Sequence, residues 1–252
     1  MLKEPIVIGI ETSTPATKCI LVATPPSTQM ISYYGRKFLL PIPNMLWCIR
    51  VSGSIRSITS SIKIHQVFFL KEAPKDEARL YRAIFPNVYR SGSVCIPSVK
   101  AKTISTIAQF VQAGITSFWG TPFNNDITHN ANFHNSILDT FGEWEASGKN
   151  IWRINRRKNE IRPKITNDRG LVVPMNAYMA KQVLMTVGEW RKVHKVDTFE
   201  PVLLSDDYCH QPLFEEAFKY AELRKEKFRL AAAQKRAEKK AAAKEVVTVS
   251  SL

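Results

Sequence analysis

The chain has 252 residues, a hydrophobic share of 44% and a formal charge of +14. That length suits one large domain, or a domain with an appendage, and the hydrophobic share is enough for a real core. No apolar run reaches the ~18 residues of a membrane span, and the first residues lack a signal-peptide pattern, so neither a membrane nor a secreted protein is expected.

The charge is concentrated. Residues 153–169 carry a net +5 and residues 221–244 a net +6, so the rest of the chain is close to neutral. The basicity belongs to two segments rather than to the fold. Four cysteines, Cys19, Cys48, Cys95 and Cys209, are widely spaced and form no CxxC pair. That spacing argues against a disulfide scaffold or a zinc ribbon and for a reducing cytoplasm.

Residues 1–70 read as strands. Ile6–Ile10, Cys19–Ala23, Met30–Tyr34, Met45–Ile49 and Val67–Leu70 are rich in β-branched and aromatic residues, with Pro, Ser, Thr and Gly between them. Short links between successive strands predict an antiparallel meander. Cys19 and Cys48 fall inside these strands, where cysteine acts as an inert small hydrophobe. Residues 71–84 read as a loop or short helix.

The segment from Phe85 to Pro122 is the most informative. Pro86-Asn87 opens a turn, and Ser91-Gly92 makes a second one. Val94-Cys95-Ile96 is a short extended piece closed by Pro97. Ile107, Phe110, Val111, Ile115 and Phe118 then repeat at helical spacing, and Gly120-Thr121-Pro122 ends that helix. Cys95 is thereby placed in a loop between two turns, which suits a partly exposed, reactive thiol.

Residues 123–135 are loop-like and rich in Asn, with His129 and His134 among them; their spacing does not fit a closed zinc site. Residues 136–147 predict a helix with Ile137, Leu138, Phe141 and Trp144 on one face. A basic loop or hairpin follows over 150–170. Pro174 is expected to start a helix whose stripe is Tyr178, Met179, Val183, Leu184, Val187, Trp190 and Val193. Phe199 to Leu204 reads as one more strand. From Leu213 the chain is helical in pattern. After Phe228 it becomes Ala/Lys/Arg/Glu with little to bury, the pattern of a projecting helix.

The segment around Cys95 resembles the active site of ubiquitin-conjugating enzymes. In that family a His-Pro-Asn tripeptide stands before the catalytic cysteine, its Asn eight residues ahead, as Asn87 is ahead of Cys95. Gly92, Ile96, the Thr103-Ile104-Ser105 lead into a helix, and the Pro122–Asp126 turn also match. Leu40-Pro41-Ile42-Pro43 is similar to the family's proline-rich strand approach; a strand ending at a sheet edge accounts for the same prolines equally well. Phe85 stands where the eukaryotic members have His, and no Trp follows Cys95 at the usual distance. The prokaryotic branch called PRTRC system protein B resembles the chain more closely. It lacks that His and carries another after the cysteine, for which Thr128-His129-Asn130 is the first match and His134 the second.

The resemblance implies an α+β fold, with a ubiquitin-conjugating-enzyme-like antiparallel meander sheet flanked by helices over 1–212, and a basic helical tail over 213–252. It implies a cytoplasmic transferase that takes a ubiquitin-like protein from an activating enzyme as a thioester on Cys95. Asn87 would donate to the oxyanion and His129 would act as a base or orienting group, with no cofactor, metal or membrane involved. Two other classes compete: a non-catalytic scaffold that binds a ubiquitin-like protein, and a plasmid-maintenance protein whose basic segments bind nucleic acid.

Overall fold

Apolar runs too long for a one-sided sheet call for cover on both faces. The computed structural model describes residues 2–14, 17–54, 59–101, 104, 106–124, 127, 131–152, 163–167, 171–196, 200–211, 213 and 229. Within them, β1 (Ile6–Thr14), β2 (Thr17–Thr24), β5 (Asn44–Ser54), β6 (Thr59–Leu70), β7 (Arg79–Arg82), β11 (Val183–Thr186) and β12 (Val202–Leu203) form one antiparallel sheet. Its strand order is β11-β7-β6-β5-β2-β1-β12. A short strand, β8 (Val99–Ala101), pairs with the first half of β6.

Alternation along the central strands sorts side chains onto two cores. On β2, Ile20 and Val22 enter the larger core, while Cys19, Leu21 and Ala23 enter the smaller one. On β5, Trp47 and Ile49 go one way and Leu46 and Cys48 the other. The larger core is capped by α1 (Ile107–Gly120) and α2 (Ala131–Ser147), and the smaller by α4 (Val187–His194). The predicted face of α1 is buried at Ile107, Phe110, Val111 and Phe118, with Ile115 half-buried. On α2, Ile137, Phe141 and Trp144 are fully packed.

β6 carries a bulge. Cys48 pairs with Gln66 but Ile49 pairs with Ile64, so His65 is the extra residue. The bulge reverses the alternation: Ile62 and Ile64 face the larger core before it, Val67 and Phe69 after it. A bulge also turns neighbouring groups off the regular ladder, and here those groups receive the Cys95 segment.

Three expectations need revision. β3 (Ser27–Tyr33) and β4 (Arg36–Ile42) form a separate two-stranded ribbon, so β2 pairs with β5 rather than with its successor. Pro41 lies in that ribbon, and its carbonyl accepts from the Trp144 indole at 3.2 Å. Residues 71–84 contain β7, which extends the sheet from β6.

The helix expected from Pro174 is in fact three elements: α3 (Met175–Met179), β11 and α4. Val183-Leu184-Met185-Thr186 pairs with the open edge of β7 instead of continuing a helix. A capping box between Thr186 and Glu189 then starts α4. Strand pairing and a strong cap override an apolar pattern that suited a helix, and Val193 ends up exposed. Strands β9 (Lys164–Thr166) and β10 (Val172–Pro174) pair antiparallel; only β9 falls in the 150–170 region, for which a basic loop or hairpin is expected, and β10 lies beyond it. The basic tail and most of the 153–169 segment lie outside the described residues, and no helix among those described is long and apolar enough to cross a membrane.

Candidate active site

Residues 85–95 fold into a small hairpin docked on β6. The Val88 N–H donates to the Phe85 carbonyl at 3.0 Å, forming the Pro86-Asn87 turn. Val88 and Val94 then face each other across an antiparallel bridge, flanked by Tyr89 N–H to Ser93 O at 2.8 Å and Cys95 N–H to Asn87 O at 2.8 Å. Side chains alternate across such a pair. Val88 and Val94 therefore point into the larger core, and Asn87, Tyr89, Ser93 and Cys95 share the opposite side.

The tip is closed by Gly92, whose N–H donates to the Tyr89 carbonyl at 3.0 Å. Its φ of +84° is a conformation other residues adopt at a cost. A Cβ there would also lie 2.3 Å from the Phe68 ring. Gly92→Ala is expected to destabilise the protein by about 2–4 kcal/mol, combining a left-handed backbone with an overfilled contact. A urea titration of the variant against the wild type measures this, and an unchanged midpoint would contradict the packing described.

Cys95 is exposed, whereas Cys19, Cys48 and Cys209 are buried. The sulfurs of Cys19 and Cys48 lie 2.9 Å apart. The Cys48 thiol is pushed well up, first by its hydrogen bond to Cys19 and then by burial. Burial also pushes up the Cys209 thiol. These two are poor sources of thiolate at neutral pH.

Asn87 is 4% exposed, and its Oδ1 accepts the Asn124 N–H at 3.2 Å. Asn124 belongs to the turn after α1, which is held by Phe123 N–H to Ser32 O at 2.8 Å. The amide of Asn87 is thus oriented from its oxygen side, which leaves Nδ2 as the donor turned away from that bond.

Tyr89 was not singled out by the sequence reading. It lies diagonally across the hairpin from Cys95, within reach for large side chains. The Tyr89 pKa is raised by Cys95, first through side-chain hydrogen bonding and then through its charge. A two-residue turn at Ser91-Gly92, counted outward, would pair Tyr89 with Val94; the loop is three residues, Arg90 to Gly92, and it pairs Tyr89 with Ser93 and Asn87 with Cys95, so this register was not readable from the turn residues. Nor was Asn124, the partner of Asn87, because 37 residues separate them.

Phe85, in the position where the resemblance expects His, is 2% exposed. It stacks on Phe123 at 5.7 Å and meets Phe69, Phe118 and Trp119 edge-on. It is therefore the anchor of the hairpin's base. Phe85→Ala is expected to cost about 3–5 kcal/mol, the range for a buried Phe. Calorimetric unfolding would show it, and a loss under about 1 kcal/mol would mean that the cluster does not support the site.

His129 lies outside the described residues, and His134 falls in the first turn of α2. Among the described residues no group of three or more His, Cys, Asp or Glu is arranged to hold a metal ion.

A sequence model for prokaryotic E2 family D matches residues 13–152, more than half of the chain. No curated protein and no solved structure matches the chain. The matched span holds the central strands, the hairpin with Asn87 and Cys95, and helices α1 and α2. The chain belongs to prokaryotic E2 family D and is a ubiquitin-conjugating-like protein.

Proposed function

We propose that the protein carries a ubiquitin-like protein as a thioester on Cys95 and passes it to an amine. The observation that carries this reading is the pairing of Cys95, exposed among three buried cysteines, with Asn87 across a hairpin. The Cys95 thiolate attacks the activated C-terminal carbonyl of the carrier, and the group that held it leaves with the activating enzyme. An acceptor amine then attacks the thioester, loses a proton, and expels the Cys95 thiolate.

Both steps pass through a tetrahedral oxyanion. We assign Nδ2 of Asn87 as the donor to that charge, and one such donor is worth about 3–4 kcal/mol. The Tyr89 O–H serves the sulfur, donating to it whenever it carries negative charge. Tyr89→Phe is expected to slow charging roughly 3- to 10-fold at neutral pH, the worth of one hydrogen bond. Stopped-flow charging of the two proteins would measure it, and equal rates would remove Tyr89 from the reaction.

Within the family we assign the chain to the PRTRC system protein B branch. Phe85, buried where a His would otherwise stand, supports this, and His129 is then the base or orienting group near Cys95. The cytoplasm is the compartment that keeps such a thiol reduced. The functional domain is taken as 1–212, with 213–252 as a basic tail.

The test is to incubate the protein with ATP, its activating enzyme and the ubiquitin-like partner. A heavier species that reductant removes is expected. Tight binding of the partner without any covalent species would favour a carrier-binding scaffold instead.

A further inference from the structure

The hairpin that carries Cys95 is held at its tip by a part of the chain beyond the family-matched span. Three contacts fasten it to the β6 bulge. The Val94 N–H donates to His65 O at 3.1 Å, and the Val67 N–H donates to Gly92 O at 2.9 Å. Between these two backbone bonds, the Gln66 side chain donates from Nε2 to the Ser91 carbonyl at 3.4 Å.

Gln66 is buried, and its own orientation is set from the other side. Its Oε1 accepts the Trp190 indole N–H at 2.9 Å. Trp190 is fully buried on α4 and stacks on His194 at 4.1 Å between ring centres. α4 is itself fixed to the loop before β7, through Val187 N–H to Ala78 O and Gly188 N–H to Asp76 O, both 2.9 Å, and through Arg191 to Asp76 at 3.1 Å. Phe68, the ring under Gly92, belongs to the same core as Trp190. A chain of fixed contacts therefore runs from α4 through one glutamine to the turn between Tyr89 and Ser93.

We propose that Trp190 and Gln66 are positioning residues for Cys95: they fix the Ser91-Gly92 tip, and so hold Tyr89 at its place diagonally across the hairpin from Cys95. An amide has one oxygen and one NH₂, so fixing the oxygen on Trp190 commits the nitrogen to Ser91. Without the indole N–H, Oε1 is left buried and unpaired, and the amide has reason to turn away from Ser91. The proposal rests on reading Cys95 as the reactive thiol, but its test needs no carrier protein.

The probe is iodoacetamide on the full chain, with alkylation of Cys95 followed by mass spectrometry across pH. Trp190→Phe keeps an aromatic ring beside His194 and removes the N–H together with the five-membered part of the indole, at the cost of a small cavity. It is expected to change the Cys95 alkylation profile in the direction of Tyr89→Phe. Exchange of the Gly92 and Val94 amides should quicken about tenfold, the worth of one hydrogen bond. Gln66→Met, which leaves Trp190 intact, should do the same. Combining the two substitutions removes the buried orphan and should recover part of the lost melting temperature without recovering the profile.

A wild-type profile or wild-type amide exchange in Trp190→Phe would overturn the proposal. So would a profile that returns together with the melting temperature in the double variant, because Trp190 would then be structural only. If Trp190→Phe does not fold, Gln66→Met alone is read by the same two measurements. A chain that shows these couplings but is never charged by any carrier would sink the conjugation reading and leave this one standing.

Discussion

Cys95→Ala is expected to abolish the covalent carrier adduct while leaving the fold intact. The side chain is exposed, so its removal opens no cavity, and the backbone bond from Cys95 N–H to Asn87 O survives in alanine. Nothing else among the cysteines can substitute. Cys19 and Cys48 are buried between β2, β5 and the α4 core, and Cys209 is buried beside α1. Cys95→Ser should accept the carrier more slowly and hold it as an oxygen ester that reductant does not cleave, since the hydroxyl is the weaker nucleophile. An adduct on Cys95→Ala would place the chemistry elsewhere.

Asn87→Ala carries the second large effect. Discharge of a preformed Cys95 thioester is expected to slow by about 100- to 1000-fold, the effect of losing one oxyanion donor. The variant also loses the bond from Asn124 N–H to Oδ1, so the turn after α1 should loosen. Asn87→Asp separates these roles. It keeps an oxygen for Asn124 but has no N–H to give, and should discharge as slowly as alanine. His129→Ala, by contrast, should slow discharge more at neutral than at high pH, where the amine deprotonates without help. Each variant is charged first and chased with free lysine in a single turnover. Normal discharge by Asn87→Ala would mean that the hairpin preserves a shape and a thiol without this mechanism.

Much of this arrangement was legible in the sequence because it is local. The turns at Pro86-Asn87 and Ser91-Gly92, the exposed setting of Cys95 and the apolar faces of α1 and α2 follow from residue types at fixed spacings. What was hidden depends on contacts between distant segments. The stripe from Tyr178 to Val193 suits a helix, yet β7 offered an unpaired edge to Val183–Thr186, and an edge is invisible until the sheet is built. The β3–β4 ribbon likewise left the meander, with β2 and β5 pairing across it from Thr17↔Ser52 to Thr24↔Met45. Gln66 lies just outside the strand expected over Val67–Leu70 and carries no signal of its own in the sequence. Its importance comes from a bulge at His65 and an indole 124 residues away.

Phe85 shows the reverse case, where sequence raised a question that packing answers. A missing His at that position looks like a lost catalytic group. In the structure the position is the centre of stacked and edge-on rings from Phe69, Phe118, Trp119 and Phe123, with Trp144 stacked 6.5 Å away. An imidazole there would be buried without a ready partner among those rings. The departure is a change from polar to apolar support for the same turn.

The most direct test of the central claim is to locate the carrier on the chain. The wild-type protein is charged with ATP, activating enzyme and ubiquitin-like partner, digested with trypsin at acid pH without reductant, and mapped by tandem mass spectrometry. The account predicts that the carrier's C-terminal carboxyl is joined to the peptide from Ser91 to Lys100, through the Cys95 sulfur, and to no other. Linkage to a peptide holding Cys19, Cys48 or Cys209, or a carrier that binds but is joined to none, would contradict it.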